Sequence, residues 1–348
     1  MGESEVVSRA VTASSTSLPA QRVPWWLWLN VLSLDAPLVA VLWQAALARC
    51  YKIHLLPGCH LVLFIAVWLI YMLDRTLDSF SRVATTKLRT RHAFYRRNRW
   101  IFLALVLPVA TALTVGLALT AIPSAVLWRG IALAVLVILY LLFFSPSGGK
   151  ITRSLGFIGC AAMIATLWRL PFPHESKMFY TAALMLLAAA SFLQRSGSRL
   201  LLPKELICGY LFAVGCSLNV GFATMDHQAS PLSPEILLLA LLFALNCIAI
   251  SGYERETDAG FDRAAISQTW PGIMRAYPLL LLSAAVLAGF VLDPRSHPDL
   301  VLFVMALLFS IGLLAALHIF ARRLRPDVSR VLADAALALP LVLMFLRF

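Results

Sequence analysis

The sequence predicts an all-α, polytopic transmembrane helical bundle of about 9–11 helices, and three observations predict it. The chain is 61% hydrophobic and only 13% charged, with a mean hydropathy of +0.84. A soluble domain of this size carries roughly twice that charge. Apolar runs of about 20 residues, the length a helix needs to cross a bilayer, recur along most of the chain. The basic residues gather in the short segments between these runs, on alternate exits.

Residues 1–24 are rich in Ser and Thr with no apolar core, and they read as a disordered cytoplasmic tail. Residues 25–348 read as one transmembrane helical domain. The first apolar run is too long for a cleaved signal peptide and has no small-residue cleavage site. The expected spans are 25–48, 58–78, 100–122, 126–145, 153–171, 178–195, 203–224, 234–255, 273–293, 299–320 and 329–347. The fifth and sixth are the least apolar, and Arg169 stands near one end of the fifth. No short-period repeat is visible, and no soluble domain fits between the spans.

Loop charge sets the expected orientation. Arg82, Lys87, Arg89, Arg91, Arg96, Arg97 and Arg99 follow the second span, and Lys150 and Arg153 follow the fourth. Arg195, Arg199 and Lys204 follow the sixth, and Arg322, Arg323, Arg325 and Arg330 follow the tenth. All lie on one face, which the positive-inside rule makes cytoplasmic. The N-terminus is then inside, and the expected membrane is the bacterial inner (cell) membrane. The net charge of +12 is thus a topology signal and excludes a nucleic-acid face; anionic membrane lipids or a polyphosphate substrate suit it better.

Cys50, Cys59, Cys160, Cys208, Cys216 and Cys247 are scattered, mostly inside apolar spans, and form no CxxC pair, so they read as small buried apolar residues. The histidines show no metal-ligand spacing. His318, alone in the tenth span, reads as a packing residue.

Six of the seventeen acidic residues fall in two short clusters, each closing an apolar run on the cytoplasmic face. Asp74 and Asp78 flank Arg75 at the end of the second span, with the i, i+4 spacing that puts both on one helical face. Glu254, Glu256, Asp258 and Asp262 close the eighth, with Glu254, Asp258 and Asp262 repeating that spacing. Like charges stacked at i, i+4 repel. A cation between the clusters relieves the repulsion, and Mg2+ binds through one or two carboxylates together with phosphate oxygens. The plainer alternative is a pair of solvated helix ends neutralised by Arg75, Arg255 and Arg263. The basic segment after Asp78 is either a topology signal or, through Lys87, Arg89 and Arg91, a set of phosphate donors. Asp35 and Asn30 sit too deep in the first span for a solvated end, so a structural hydrogen bond and a pocket role are both open. Tyr71, Tyr140 and Tyr253 are pocket candidates or membrane-interface anchors.

The two acidic ends resemble the aspartate-rich motifs of the UbiA superfamily of intramembrane prenyltransferases. Asp74-Arg75-Thr76-Leu77-Asp78 matches the later part of that family's first motif, N-D-x-x-D-x-x-x-D, with Ile70 and Tyr71 standing where the family has Asn and Asp. Glu254-Arg255-Glu256-Thr257-Asp258 matches its D-x-x-x-D motif with Glu in the leading place. Pro203-Lys204-Glu205-Leu206 resembles the start of the family's preceding span. The family has about nine spans, and an extra helix pair at 150–200 accounts for the difference. The resemblance implies a bundle around a central cavity, with magnesium on Asp74, Asp78, Glu254, Asp258 and Asp262. It further implies diphosphate on Arg75, Lys87, Arg89 and Arg91, and transfer of an isoprenyl group from an isoprenyl diphosphate to a lipophilic aromatic or quinone-precursor acceptor. Two other readings stay open: a non-catalytic relative that binds lipid or isoprenoid, and a transporter using Asp35, His318 and the carboxylates.

Overall fold

The computed structural model describes residues 24–80, 90–144, 150–170, 172–195, 203–223, 230–259, 262, 264–291 and 298–346. Among them the chain is helical, with no strand. The short α1 (Trp25–Val31) leads to α2 (Asp35–Cys50) and α3 (Pro57–Asp78). α4 runs from Thr90–Ile101 through a π-helical stretch, Phe102–Val106, into Leu107–Ala121. Then come α5 (Ser124–Phe144), α6 (Lys150–Arg169), α7 (His174–Arg195), α8 (Lys204–Ala223) and α9 (Pro234–Tyr253). Two single turns, α10 (Arg255–Asp258) and α11 (Ile266–Thr269), precede α12 (Ile273–Val291), α13 (Pro298–Phe320) and α14 (Pro326–Leu346).

Nine of the described helices are long and apolar enough to cross a membrane, or ten if α1 and α2 count as one bent span. They carry an exposed belt of large apolar side chains, Leu105, Leu119, Ile158, Leu279 and Phe290 among them. In water such a belt is unstable; in lipid it is the ordinary outer surface of a helical bundle whose backbone groups are satisfied internally. The chain is therefore an integral membrane protein. α8, at 20 residues, also has the length of a span.

α9 is the central element: 67% of its apolar stretch is buried, against 17% for α6. It packs on α8, α12, α13 and α14, while α2 closes the ring against α3, α8, α13 and α14. Trp43 on α2 is fully buried at the middle of this main core, edge-on to Phe243 and Phe303, with its indole N–H donating to the Leu337 carbonyl at 3.1 Å. α5, α6 and α7 form a second core that joins the first through α8. Residues 150–195 hold two helices, α6 and α7.

The first span is broken rather than continuous. α1 and α2 meet at 74°. Ser33 takes the left-handed conformation, φ 55°, in the place a glycine usually fills at a helix end. The Leu34 N–H closes back on the Leu29 carbonyl at 2.8 Å, and the Trp68 indole N–H satisfies the Leu32 carbonyl at 3.0 Å. The Ser33 hydroxyl is buried against the Tyr95 hydroxyl, 3.3 Å away. Asp35-Ala36-Pro37 then restarts the helix, with the Ala36 N–H on the Asp35 carboxylate at 3.0 Å and proline in the first turn, where its missing N–H costs nothing.

The basic stretch after the second span is also not a loop throughout. From Thr90 it is helical and continues into the third span, so that Ala93–Ala121 forms one run of 29 residues. That is longer than the hydrocarbon core requires, so its basic first turns stand in the headgroup zone. Tyr95 is buried against Met72 and Ser33, and the Arg99 guanidinium lies over the Phe80 and Trp100 rings at 5.2 and 5.5 Å.

Candidate functional site

α3 and α9 end on the same side of the bundle, and α8, α12 and α14 begin there. At the opposite end, Arg49 in the last turn of α2 pairs with Asp299 at the start of α13 at 3.1 Å, and Tyr51 donates to Glu235 at the start of α9 at 2.9 Å.

The two acidic clusters meet at the first of these ends. Asp78 is buried, and Asp74, Arg75, Asp262 and Lys204 all act on its charge. Arg75 is buried beside it, 3.9 Å from Asp74. Lys204, at the first turn of α8, forms an ion pair with Asp262. Glu205, also buried, accepts the Ile266 N–H at 2.9 Å and pins α11 beneath the cluster. The Ser251 and Ser267 hydroxyls, 2.9 Å apart, tie α11 to the end of α9.

The second cluster is not the two-turn stack its spacing suggests. α9 stops at Tyr253, Glu254 sits in the turn, α10 lasts one turn, and Asp262 lies outside any helix. Asp262 nevertheless pairs with Lys204. Glu254 is buried in an ion pair with Arg330 of α14, at 3.2 and 3.4 Å to its two oxygens. Asp258 and Arg91 are described as backbone positions only, and Lys87 and Arg89 lie outside the described residues.

Below this mouth, α3, α5, α8, α9 and α14 turn polar groups toward one another. Tyr71 lies within electrostatic reach of Cys208, Cys247, Asp334 and Asp35. Tyr140 lies within reach of Cys208, Glu205, Cys247 and Asp74, and its hydroxyl donates to the Lys204 carbonyl at 3.5 Å. The Cys208 and Cys247 thiols lie close to each other. The Asn30 amide donates to Asp35 at 2.6 Å, the Asn246 amide donates to Asp334 at 3.0 Å, and the two carboxyl groups lie within electrostatic reach of each other. Tyr71, Tyr140, Cys208, Cys247 and Asp334 are surrounded by protein, yet each keeps some accessible surface. By helical rise these groups lie about 6–12 Å inward from the acidic mouth. Tyr253 lies near Tyr277. His318 packs its ring on Tyr277 at 5.2 Å.

The mouth has unmet bonding capacity. Asp78 Oδ1, Glu205 Oε2 and Arg75 Nε are buried without a hydrogen-bond partner among the described residues. Unpaired buried polar atoms are costly. An unpartnered Asp78 oxygen close to the Arg75 guanidinium is what a cation and an anionic oxygen together would satisfy. No three His, Cys, Asp or Glu side chains among the described residues converge closely enough to hold a metal alone. A magnesium ion that draws part of its shell from water and phosphate does not require three.

Sequence reasoning missed Asp334, Asn246, Arg330 and the Cys208–Cys247 contact as parts of this site. Asp334 carried the same signal that singled out Asp35, a carboxylate inside an apolar run. The cysteines carried none, because a thiol in an apolar span looks like packing.

Fold and site together define an integral membrane protein of helical-bundle type, with an acidic and basic mouth over a polar interior. Comparison with known proteins adds no name: no family model, no curated protein and no solved structure matches the chain.

Proposed function

We propose that the protein is a magnesium-dependent membrane prenyltransferase of the UbiA type, which transfers an isoprenyl group from an isoprenyl diphosphate to a lipophilic aromatic or quinone-precursor acceptor. The supporting observation is the meeting of Asp78 and Asp262, from clusters in opposite halves of the chain, with Lys204 and Arg75 beside them. Solvated helix ends have no reason to converge or to bury their carboxylates.

On this reading Asp74, Asp78, Asp258 and Asp262 hold magnesium, which when bound supplies the positive charge that stabilises a departing diphosphate. Arg75 and Lys204 bind phosphate oxygens as charge-assisted donors. Lys87, Arg89 and Arg91 add to that set from the segment after α3. Glu254 acts at one remove by fixing Arg330, whose charge reaches Asp334. The isoprenoid lies along the interior beneath the mouth, beside Tyr71 and Tyr140.

The test is transfer itself. Protein in lipid vesicles is given radiolabelled isoprenyl diphosphates, magnesium, and a panel of hydroxybenzoates and dihydroxynaphthoates. Labelled lipophilic product that disappears with Asp74→Ala, Asp78→Ala or EDTA is the expected result. Transfer that persists in both variants would refute the assignment.

One observation favours a second reading. Asp35 and Asp334 lie inside membrane segments, where ionisable groups often mark proton or cation pathways. A transporter would produce proton-coupled flux in the same vesicles without consuming diphosphate.

A further inference from the structure

On the face of the bundle opposite the acidic mouth, α2 ends and α3 and α13 begin, and a cleft of about 410 Å³ opens there. That volume lies within the range of small-molecule sites, about 300–1,000 Å³. The polar lining is Arg49, Lys52, His54, His60 and Asp299: two fixed cations, two imidazoles and one carboxylate. The carboxylate is already engaged. Asp299 accepts the Arg49 Nε–H at 3.1 Å and so fixes that guanidinium in the wall. His60 is held by the fully buried Gln44, with Nδ1 2.7 Å from Oε1.

Lys52 gives a second, independent signal. Its φ is 54°. Its N–H donates to the Arg49 carbonyl at 2.9 Å and the Ile53 N–H donates to the Ala48 carbonyl at 2.7 Å, which closes the end of α2. A left-handed residue at a helix end is usually glycine and sometimes asparagine. Lysine strains the backbone there, and ending the helix does not call for it. What it adds is an ammonium group at the cleft. The surroundings are apolar and exposed. Leu55 lines the cleft, and Leu56 and Leu61, next in sequence to Leu55 and His60, are 67% and 47% exposed. Cationic donors therefore stand at the end of the spans, at headgroup depth, beside side chains suited to hydrocarbon.

A small inorganic anion would use the donors and leave the leucines uncovered. A lipid uses both. We propose that this cleft binds the phosphate headgroup of an anionic membrane lipid, with Arg49 and Lys52 as charge-assisted donors to the phosphate oxygens and the leucines against the acyl chains. The proposal is independent of the reading of the mouth, which lies at the other end of the spans.

The experiment measures protection of one lysine. The purified full chain in detergent is pulsed with a water-soluble acetylating reagent, and acetylation of Lys52 and Lys177 is read by peptide mass spectrometry. Lys177, in the first turn of α7 and also away from the mouth, is the internal control. Dioleoyl phosphatidylglycerol, dioleoyl phosphatidylcholine, dioleoylglycerol and inorganic phosphate are added at matched concentrations. Phosphatidylglycerol should slow acetylation of Lys52 by about tenfold and leave Lys177 unchanged, while dioleoylglycerol and inorganic phosphate protect neither. Phosphatidylcholine, whose own cation neutralises its phosphate, should bind about tenfold more weakly. Arg49→Met should lose most of the protection. Lys52→Gly should melt no lower than the wild type in lipid-free detergent, because the strain is relieved, yet retain fewer phosphatidylglycerol molecules in native mass spectrometry. Equal protection of Lys52 and Lys177 would overturn the proposal. So would protection that survives Arg49→Met, or inorganic phosphate that protects as well as the lipid.

Discussion

The charge of Asp262, beyond the end of α9, reaches buried Asp78, the last residue of α3, with Lys204 paired to Asp262 and Arg75 adjacent to Asp78. Carboxylates that share a buried cluster repel unless cations share the space. Lys204 and Arg75 supply part of that compensation, and the unpartnered Asp78 oxygen marks where more is needed. Lys204→Met should therefore weaken binding of a diphosphate by about tenfold or more, the worth of one charge-assisted hydrogen bond. Lys204→Arg should recover most of it. Titration of both variants with geranylgeranyl diphosphate in magnesium checks this.

The ion pairs at the two ends of the bundle should differ in weight. Glu254 and Arg330 are both largely buried, so Glu254→Gln or Arg330→Met strands a buried partner, at a cost of about 3–5 kcal/mol. Arg49 and Asp299 keep 31% and 25% of their side-chain surface exposed, so Arg49→Met should cost less than about 1 kcal/mol. Thermal unfolding in detergent, compared across the three variants, reads the difference. Equal shifts at both ends would contradict it.

Gly209 is where α8 meets α9 most closely. A Cβ there would stand 2.5 Å from the Ala244 nitrogen and 2.7 Å from the Ala240 oxygen, both backbone atoms that no rotamer change can move. Gly209→Ala should destabilise the protein by about 1–3 kcal/mol and disturb the mouth through Lys204 and Glu205 on the same helix. Gly215→Ala, whose Cβ would lie 3.8 Å from the nearest side-chain atom, is the matched control and should be tolerated. Melting temperatures of the two decide.

Much of the bundle was legible in the sequence, because a lipid-facing helix has to be long and apolar, and few other segments are. The break at Ser33 was harder, since the left-handed residue is neither Gly nor Asn. Only Asp35-Ala36-Pro37 signals a new helix start there. The helical turns from Thr90 were hidden because their composition is that of a basic loop, and burial of Tyr95 under α1 and α3 rather than propensity holds them in place. At the site, both acidic clusters were visible as carboxylates at the ends of apolar runs. The i, i+4 spacing then misled, since α9 ends at Tyr253 and Asp262 stands outside any helix. The pairings Glu254–Arg330 and Asn246–Asp334 join residues far apart in sequence, which no local pattern encodes.

The expected orientation is open to a direct check. Lys52 and Arg325 are both exposed and stand at opposite ends of the bundle. In a cysteine-free background, a membrane-impermeant maleimide added to intact cells should label Lys52→Cys and spare Arg325→Cys until the cells are permeabilised. The reverse pattern would put the acidic mouth on the outer face and contradict the positive-inside reading.

The central claim is that the acidic mouth binds magnesium and diphosphate together. Its most direct measurement is equilibrium binding of geranylgeranyl diphosphate to the purified protein, with and without magnesium, in the wild type and in Asp74→Ala/Asp258→Ala. Binding that needs magnesium and is lost in the double variant is the predicted result. Binding indifferent to the metal and to both aspartates, or no binding at all, would contradict the claim and favour a lipid-binding or transport role for the bundle.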